Sequence, residues 1–209
     1  MADTCPVIEK SRAEAFSDGV IAVAITLLAL DLHVPTPGSG SLGTQLAHNW
    51  PNYVAYVVSF VTIGIIWINH RAMLSRLHSL DHSALILNLI LLMTVVALPF
   101  STSLMAAYLR APHGEKLAAA VYGGSFLLMA LAFVALQVYI LAERRQLLHE
   151  RITPELRAAV FRRNAVGVVP YAIATAGAFL SPYVTLAVCA LLAVYYAMPG
   201  TSVGAPDAD

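Results

Sequence analysis

Six long apolar runs, separated by short polar segments, dominate this chain. Their approximate spans are 14–32, 52–70, 84–108, 117–142, 160–180 and 183–198. Runs of this kind suit helices that cross a hydrocarbon core about 30 Å thick, which takes about 20 residues. Between the last two runs, Ser181 and Pro182 are a helix-stop signal. The pattern predicts an all-α, polytopic membrane protein with six transmembrane helices.

The amino-acid composition agrees with a membrane protein. Hydrophobic residues make up 59% of the 209 residues and charged residues only 11%, whereas soluble domains average about 45–50% and about 25%. Twelve basic residues balance twelve acidic ones, so no excess of positive charge points to nucleic acid as a partner. The first run follows a polar, acidic leader and is too long for the apolar core of a signal peptide, about 7–15 residues. We expect it to stay as a membrane helix.

The positions of Lys and Arg predict how the helices are oriented. With a cytoplasmic N-terminus, ten of the twelve basic residues fall on cytoplasmic segments, and only Arg110 and Lys116 fall on outside loops. The positive-inside rule therefore puts both termini in the cytoplasm. We expect residues 1–13 to form a cytoplasmic leader, residues 14–198 the six-helix domain, and residues 199–209 a disordered cytoplasmic tail.

Polar side chains gather at the cytoplasmic ends of the first three runs. In the first and third runs they lie about one helical turn inside the run. In the second run they are at its last positions, so these side chains share one depth. The residues are Ser17, Asp18, Trp67, Asn69, His70 and Asn88, with Arg12 just below them. Buried polar groups need hydrogen-bond partners, so we expect one network here. It can be a structural clasp between three helices, or a site for protons or ions.

A second face of the first run carries a largely aliphatic stripe. At about 100° per residue, Val23, Thr26, Leu27 and Leu30 fall on one side of the helix, the Val23–Leu30 stripe, and Asp18 lies about 140° away. Such a stripe can face lipid, pack against a helix or line a pore. The polar opening of this run does not recur in the other five runs. A pore lined by it would need several chains, and a transporter with inverted repeats would lack its second copy.

Candidate chemistry for catalysis or for a resident cofactor is missing from the sequence. No phosphate-binding loop, G-x-S-x-G elbow or H-E-x-x-H pair occurs, so we expect no enzyme activity. Cys5 and Cys189 lie far apart and form no pair motif. His78 and His82 have a spacing that fits a metal site on a helix, but a polar cytoplasmic loop is the favoured explanation. We expect neither a metal nor a cofactor.

Three segments of the first half resemble the prokaryotic transmembrane protein 175 family of potassium channels. The segment "RAEAFSDGVIAVAITLLALDL", residues 12–32, resembles the first-helix signature, an arginine four residues before Phe-Ser-Asp-Gly. The segment "IGIIWINHR", residues 63–71, resembles the end of the second helix, and "LDHSALILNLILLMTVVALPFSTSLM", residues 80–105, resembles the third. The resemblance covers residues 12–105, and the last three runs match only in number and hydrophobicity.

This resemblance implies a passive, potassium-preferring cation channel in a prokaryotic cell membrane. It implies six helices, cytosolic termini and a homotetramer around a central pore that the first helix lines, with the lipid bilayer and K⁺ as the other partners. Bulky side chains form the constriction, which falls here on Val23, Leu27 and Leu30, and a threonine layer linked to potassium preference falls on Thr26. Phe16, with Ser17 and Asp18, would tie the first helix to the polar ends of the next two.

One position departs from the family pattern. The first constriction residue is typically isoleucine, whereas Val23 is one methylene shorter, so the narrowest point can be wider or can shift to Leu27. No carbonyl filter of the Thr-Val-Gly-Tyr-Gly type occurs. Two alternatives to a channel stay open. One is a proton-coupled secondary transporter that uses Asp18 and His70, and the other is a membrane protein whose polar groups act only as clasps.

Overall fold

The computed structural model describes residues 10–32, 34–37, 40–143 and 167–198, and helices account for nearly all of the regular structure in them. No β-strand occurs in these ranges. A π-helical turn, Tyr139–Glu143, directly extends the fifth helix. The helices in chain order are α1 Lys10–Leu30, α2 Leu42–His48, α3 Trp50–Leu74, α4 His82–Tyr108, α5 Glu115–Val138, α6 Gly167–Gly177 and α7 Pro182–Ala197.

Four of these helices are long and apolar enough to cross a membrane. They are α1, α3, α4 and the continuous helix Glu115–Leu141, which joins α5 to part of the π-helical turn. α6 and α7 are apolar but shorter within the described part of the chain. The predicted fifth span, 160–180, lies partly outside the described residues, as do most of the leader and the whole predicted tail. For the described residues, the prediction of an all-helical protein with apolar helices long enough to cross a membrane is confirmed, and the number of six membrane helices stays a prediction.

Polar residues at the predicted run boundaries set several helix ends. Asp81 caps α4, because its carboxylate oxygen Oδ1 accepts a hydrogen bond from the Ala84 backbone N–H at 2.9 Å. Ser181 caps α7 in the same way, because its hydroxyl oxygen accepts a hydrogen bond from the Tyr183 N–H at 3.3 Å. Pro182 lies in the first turn of the helix, where proline is favoured. α1 begins at Lys10, earlier than its apolar run, because polar residues can extend a helix beyond the membrane core.

A short helix, α2, interrupts the loop between the first two spans, where the apolar pattern predicts none. Ser41 is its N-cap and accepts a hydrogen bond from the Thr44 N–H at 3.2 Å. Gln45 Nε2 donates to the Thr36 carbonyl at 3.2 Å and so folds the preceding segment back onto α2. Gly40, just before the cap, has a φ of 118°, which favours glycine. Capping, rather than hydrophobic period, is therefore the signal for α2 in this sequence.

α4 is central to the bundle, with α1, α3 and α5 packed around it. α1 contacts α3 and α4, whereas α7 contacts α3 and α5. The buried residues of α1 include Ile21, Ala24 and Leu28, which are at most 1% exposed. α1 therefore uses one face for packing within the chain.

Gly123 is a point of close approach between α5 and both α6 and α7. A Cβ atom at Gly123 would lie 3.1 Å from the Thr175 Cα and 3.1 Å from the Thr185 Cγ2. At the neighbouring Gly124, the nearest such contact is the Thr175 Cγ2 at 3.9 Å, an ordinary van der Waals distance. Small residues allow membrane helices to pack this closely, so Gly123 is required by the packing and Gly124 is not.

Gly123→Ala is expected to lower the free energy of unfolding by about 1 kcal/mol. Overpacking against backbone atoms typically costs about 1–3 kcal/mol, and the better helix propensity of alanine offsets about 0.8–1.0 kcal/mol of this. Thermal unfolding in detergent measures the change. Gly124→Ala is the matched control and should be neutral or stabilising. Equal melting temperatures for the two variants would contradict the close approach at Gly123.

Candidate functional site

A chain of hydrogen bonds joins α1, α4 and α3 at the N-terminal end of α1. Asn88 Nδ2 donates to Ser17 Oγ at 2.9 Å, and Ser17 Oγ donates onward to the Ala13 carbonyl at 2.8 Å. His70 Nε2 lies 2.7 Å from Asn88 Oδ1. Because that oxygen can only accept, Nε2 carries the proton in this arrangement. Ser17, His70 and Asn88 are at most 3% exposed, and their hydrogen bonds remove the cost of burying them.

Asp18 makes a separate link between α1 and α3. The Trp67 indole N–H donates to Asp18 Oδ1 at 2.8 Å. The Arg71 guanidinium lies over the Trp67 ring, 5.8 Å from its centroid, which is within the range of a cation–π interaction. Ser17 and Asp18 are adjacent in sequence but point about 100° apart on the helix. Together they fasten α1 to both of its neighbours.

A cavity of about 270 Å³ between α1 and α3 brings Asp18 and His70 to a common surface. Its other lining residues are Lys10, Glu14, Arg71, Leu74 and Ser75. Lys10 Nζ lies 3.5 Å from a Glu14 carboxylate oxygen and donates to the Ser75 carbonyl at 3.3 Å. The two titratable groups of the transporter hypothesis therefore line one cavity, although both already have hydrogen-bond partners.

Three residues of the predicted network belong neither to the Ser17–Asn88–His70 chain nor to the Asp18–Trp67 link. Asn69 Nδ2 donates to the Ile65 carbonyl of its own helix at 2.9 Å. Its side chain lines a different cavity, of about 110 Å³, with residues of α5, α6 and α7. One residue step turns a helix by about 100°, so Asn69 and His70 share a depth but not a face. Arg12 and Phe16 are exposed on the face of α1 that does not pack against α3 and α4.

The Val23–Leu30 stripe is exposed on the face of α1 opposite its packed side. Val23 is 57% exposed and Leu30 is 77% exposed, and Thr26 and Leu27 between them are exposed as well. Thr26 Oγ1 donates its proton to the Val23 carbonyl at 2.8 Å. The threonine oxygen therefore keeps its lone pairs for a group outside the chain. The stripe is free to line a pore, contact lipid or meet another copy.

A second polar contact fixes the other end of α1, and the sequence pattern did not single it out. Ser103 Oγ of α4 donates to Oδ2 of Asp31, which directly follows the last residue of α1. Ser103 Oγ also lies 3.0 Å from the Pro99 carbonyl. The sequence contains one clue to this contact, the position of Asp31 around the helix. Asp31 follows Ser17 by fourteen residues and so falls within about 40° of it around the helix.

A buried cluster of hydroxyl groups, also unforeseen, joins α3, α4 and α5. Ser59 Oγ lies 2.8 Å from Thr102 Oγ1 and 3.2 Å from the Tyr122 hydroxyl. Polar side chains that bond across helices stabilise membrane bundles modestly. In the described ranges, no group of three or more His, Cys, Asp and Glu side chains is arranged to hold a metal ion.

Comparison with known proteins relates this arrangement to a family. Residues 12–99 match the family model described as the endosomal/lysosomal potassium channel TMEM175. A potassium channel from Streptomyces collinus is 44% identical over 189 residues, which cover 90% of this chain and 91% of that protein. A potassium channel from Chamaesiphon minutus is 37% identical over 193 residues, which cover 91% of this chain and 94% of that protein.

The similarity extends to three-dimensional structure. The crystal structure of a lysosomal potassium-selective channel TMEM175 homolog from Chamaesiphon minutus superposes with a TM-score of 0.79 at 36% sequence identity. The superposition covers 90% of this chain and 96% of that one. Both the sequence and the fold are therefore shared over nearly the whole length. This chain belongs to the TMEM175 family of potassium channels.

Proposed function

We propose that this protein is a potassium-preferring cation channel whose pore is lined by the Val23–Leu30 stripe of α1. The observation that carries the proposal is the exposure of this stripe on a helix whose opposite face is buried against α3 and α4. Relatives that cover nearly the whole chain are named potassium channels. Ion flow along such a stripe is passive and needs no coupled chemistry.

One stripe cannot enclose a pore, so the channel requires several copies of the chain. α1 supplies one exposed stripe per chain, and no second helix of the described residues opens with the same polar signature. We propose a homotetramer in a prokaryotic cell membrane, with six membrane helices per chain and both termini cytoplasmic. In this assembly residues 14–198 form the channel domain, with a leader at 1–13 and a tail at 199–209.

Alternating hydrophobic and hydroxyl layers would control the ions in this pore. Rings of Val23, Leu27 and Leu30 side chains form a hydrophobic constriction, which excludes water and ions when it is narrow. The Thr26 hydroxyl donates its proton to the Val23 carbonyl, so its oxygen lone pairs face outward and can replace part of the hydration shell of K⁺. Selectivity then comes from side-chain oxygens rather than from backbone carbonyls.

The polar contacts at the N-terminal end of α1 serve as a structural clasp in this proposal. Ser17 and Asp18 lie on faces of α1 that contact α4 and α3, away from the Val23–Leu30 stripe. A proton-coupled transporter remains the second candidate, because Asp18 and His70 line one cavity of about 270 Å³. The channel is favoured because Asp18 and His70 are already bonded to Trp67 and Asn88, whereas the stripe has no partner among the described residues.

Flux through reconstituted protein separates these functions. In proteoliposomes we expect passive K⁺ flux that exceeds Na⁺ flux and that persists without a pH gradient. Thr26→Ala should keep the flux and reduce the K⁺ preference several-fold, while Leu128→Ala, at an exposed position on α5, should change neither. If flux requires a pH gradient and Asp18→Asn abolishes it, the transporter is correct. No flux from a folded, assembled protein would refute both functions.

A further inference from the structure

Asp31 and Ser103 form a contact that the proposed pore does not yet use. The network at Ser17 and Asn88 joins α1 to α4 at the N-terminal end of α1, and the Ser103–Asp31 hydrogen bond joins the same two helices at the C-terminal end. We propose that the Asp31–Ser103 contact is a positioning contact that holds this end of α1 and thereby sets the pore at Leu30. The inference rests on the proposed function, in which α1 lines the pore.

The two contacts lie at opposite ends of one packed face. Ser17 and Asp31 are fourteen residues apart, a distance of about 21 Å along a helix. Between them the buried residues of α1 are apolar, namely Ile21, Ala24 and Leu28. Apolar packing has no directional preference, so it allows small rotations and slides that two terminal hydrogen bonds oppose. Asp31 and Ser17 therefore define the register of α1 on α4.

Leu30 is the pore position most sensitive to this contact. It directly precedes Asp31 and is 77% exposed, so little packing of its own holds it. Val23, by contrast, lies near the middle of α1, between the two contacts. A shift of Asp31 relative to α4 would move Leu30 first and Val23 least. The contact thus acts on the pore through Leu30 and does not itself need to touch an ion.

Ser103 can release Asp31 without being left unpaired. Its hydroxyl has one proton, which can go to the Asp31 carboxylate or to the Pro99 carbonyl at 3.0 Å. Hydrogen bonds to a charged acceptor are the stronger kind, which favours Asp31. Because the alternative acceptor lies within α4, loss of the contact removes one hydrogen bond that holds the end of α1 and leaves α4 intact. Removing the hydroxyl should therefore change the pore more than the fold.

A competing role for Asp31 is purely electrostatic. A carboxylate near the end of a pore helix raises the local cation concentration, and this effect weakens with added salt. The two roles respond differently to substitution. Ser103→Ala removes the hydrogen bond and keeps the charge, whereas Asp31→Asn removes the charge and keeps an oxygen that can accept from Ser103.

Single-channel recording in planar bilayers tests the inference. Ser103→Ala is expected to change the open probability on the order of tenfold, as for loss of one hydrogen bond to a charged group. Ser103→Thr retains a hydroxyl and should restore behaviour close to that of the wild type. The matched control is Ser101→Ala, because Ser101 is buried and its hydroxyl donates within α4 to the Leu98 carbonyl at 3.0 Å. It should leave the open probability unchanged.

The outcomes separate this inference from the proposed function. Absence of a K⁺ current from the wild-type protein would refute the proposed function and, with it, this inference. A normal wild-type current with an unchanged Ser103→Ala channel overturns the positioning role alone. A third outcome is that Asp31→Asn lowers conductance only at low salt while Ser103→Ala has no effect. This result assigns Asp31 an electrostatic role and also overturns the positioning role. If Ser103→Ala does not fold, Asp31→Ala removes the acceptor instead and must show the same change in open probability.

Discussion

Val23→Ser is expected to raise the K⁺ conductance of the reconstituted channel on the order of tenfold. Val23 is 57% exposed on the Val23–Leu30 stripe, and hydrophobic constrictions close by dewetting. A hydroxyl at this position keeps water in the constriction, so the barrier to ion entry falls. Planar-bilayer recording in symmetrical K⁺ measures the change. Val194→Ser is the matched control, since Val194 of α7 is 60% exposed and lies off the proposed pore.

A companion substitution locates the narrowest point of the pore. Val23→Ile adds one methylene and is expected to lower conductance if the ring at Val23 is the narrowest. If the constriction is at Leu27, Val23→Ile should have little effect and Leu27→Ser should give the larger increase. Equal responses to Val23→Ser and Val194→Ser would show that the stripe faces lipid rather than ions.

Asn88→Ala is expected to cause the largest loss of stability among single substitutions in the polar network. Asn88 donates to Ser17 and accepts from His70, so its removal leaves the buried His70 Nε2–H without its acceptor, while Ser17 keeps only its hydrogen bond to the Ala13 carbonyl. Each buried polar group left unpaired costs about 1–3 kcal/mol, while measured interhelical bonds in a membrane bundle average about 0.6 kcal/mol. We therefore expect the free energy of unfolding to fall by about 1–3 kcal/mol.

Thermal or denaturant unfolding in detergent measures this loss, and a residue on the same helix supplies the control. Thr94 of α4 donates its hydroxyl proton to the Leu91 carbonyl of its own helix at 2.6 Å, so Thr94→Ala removes a polar group without breaking a contact between helices. Its effect should stay well below that of Asn88→Ala. Similar losses for the two variants would show that the Ser17–Asn88–His70 chain contributes little beyond ordinary burial.

Depth along the membrane was readable from the sequence, and direction around each helix was not. The rise per residue is constant in an α-helix, so run boundaries alone place Ser17, His70 and Asn88 at one level. The same reasoning places Asn69 at that level. Which neighbour a side chain meets depends on how the helices cross and rotate, and α3 turns Asn69 toward α5.

Contacts between distant segments also required the tertiary structure. Asp31 and Ser103 are separated by 72 positions in sequence, and neither stands out in its apolar run. Ser59, Thr102 and Tyr122 meet only because α3, α4 and α5 pack side by side. The apolar pattern does not predict α2 for a different reason, since a capped helix of seven residues is too short to show a hydrophobic period.

The sequence by itself determined the helical class, the apolar helices long enough to cross a membrane, the helix boundary at Ser181 and Pro182, and the two faces of α1. These properties depend on local periodicity and on the free energy of moving side chains from water into an apolar medium, both of which act residue by residue. Only the tertiary structure decided that Asn88 bridges Ser17 to His70, that Asp31 meets Ser103, and that Gly123 is a point of close packing. Those contacts depend on the distances and rotations between helices, which a one-dimensional pattern does not contain.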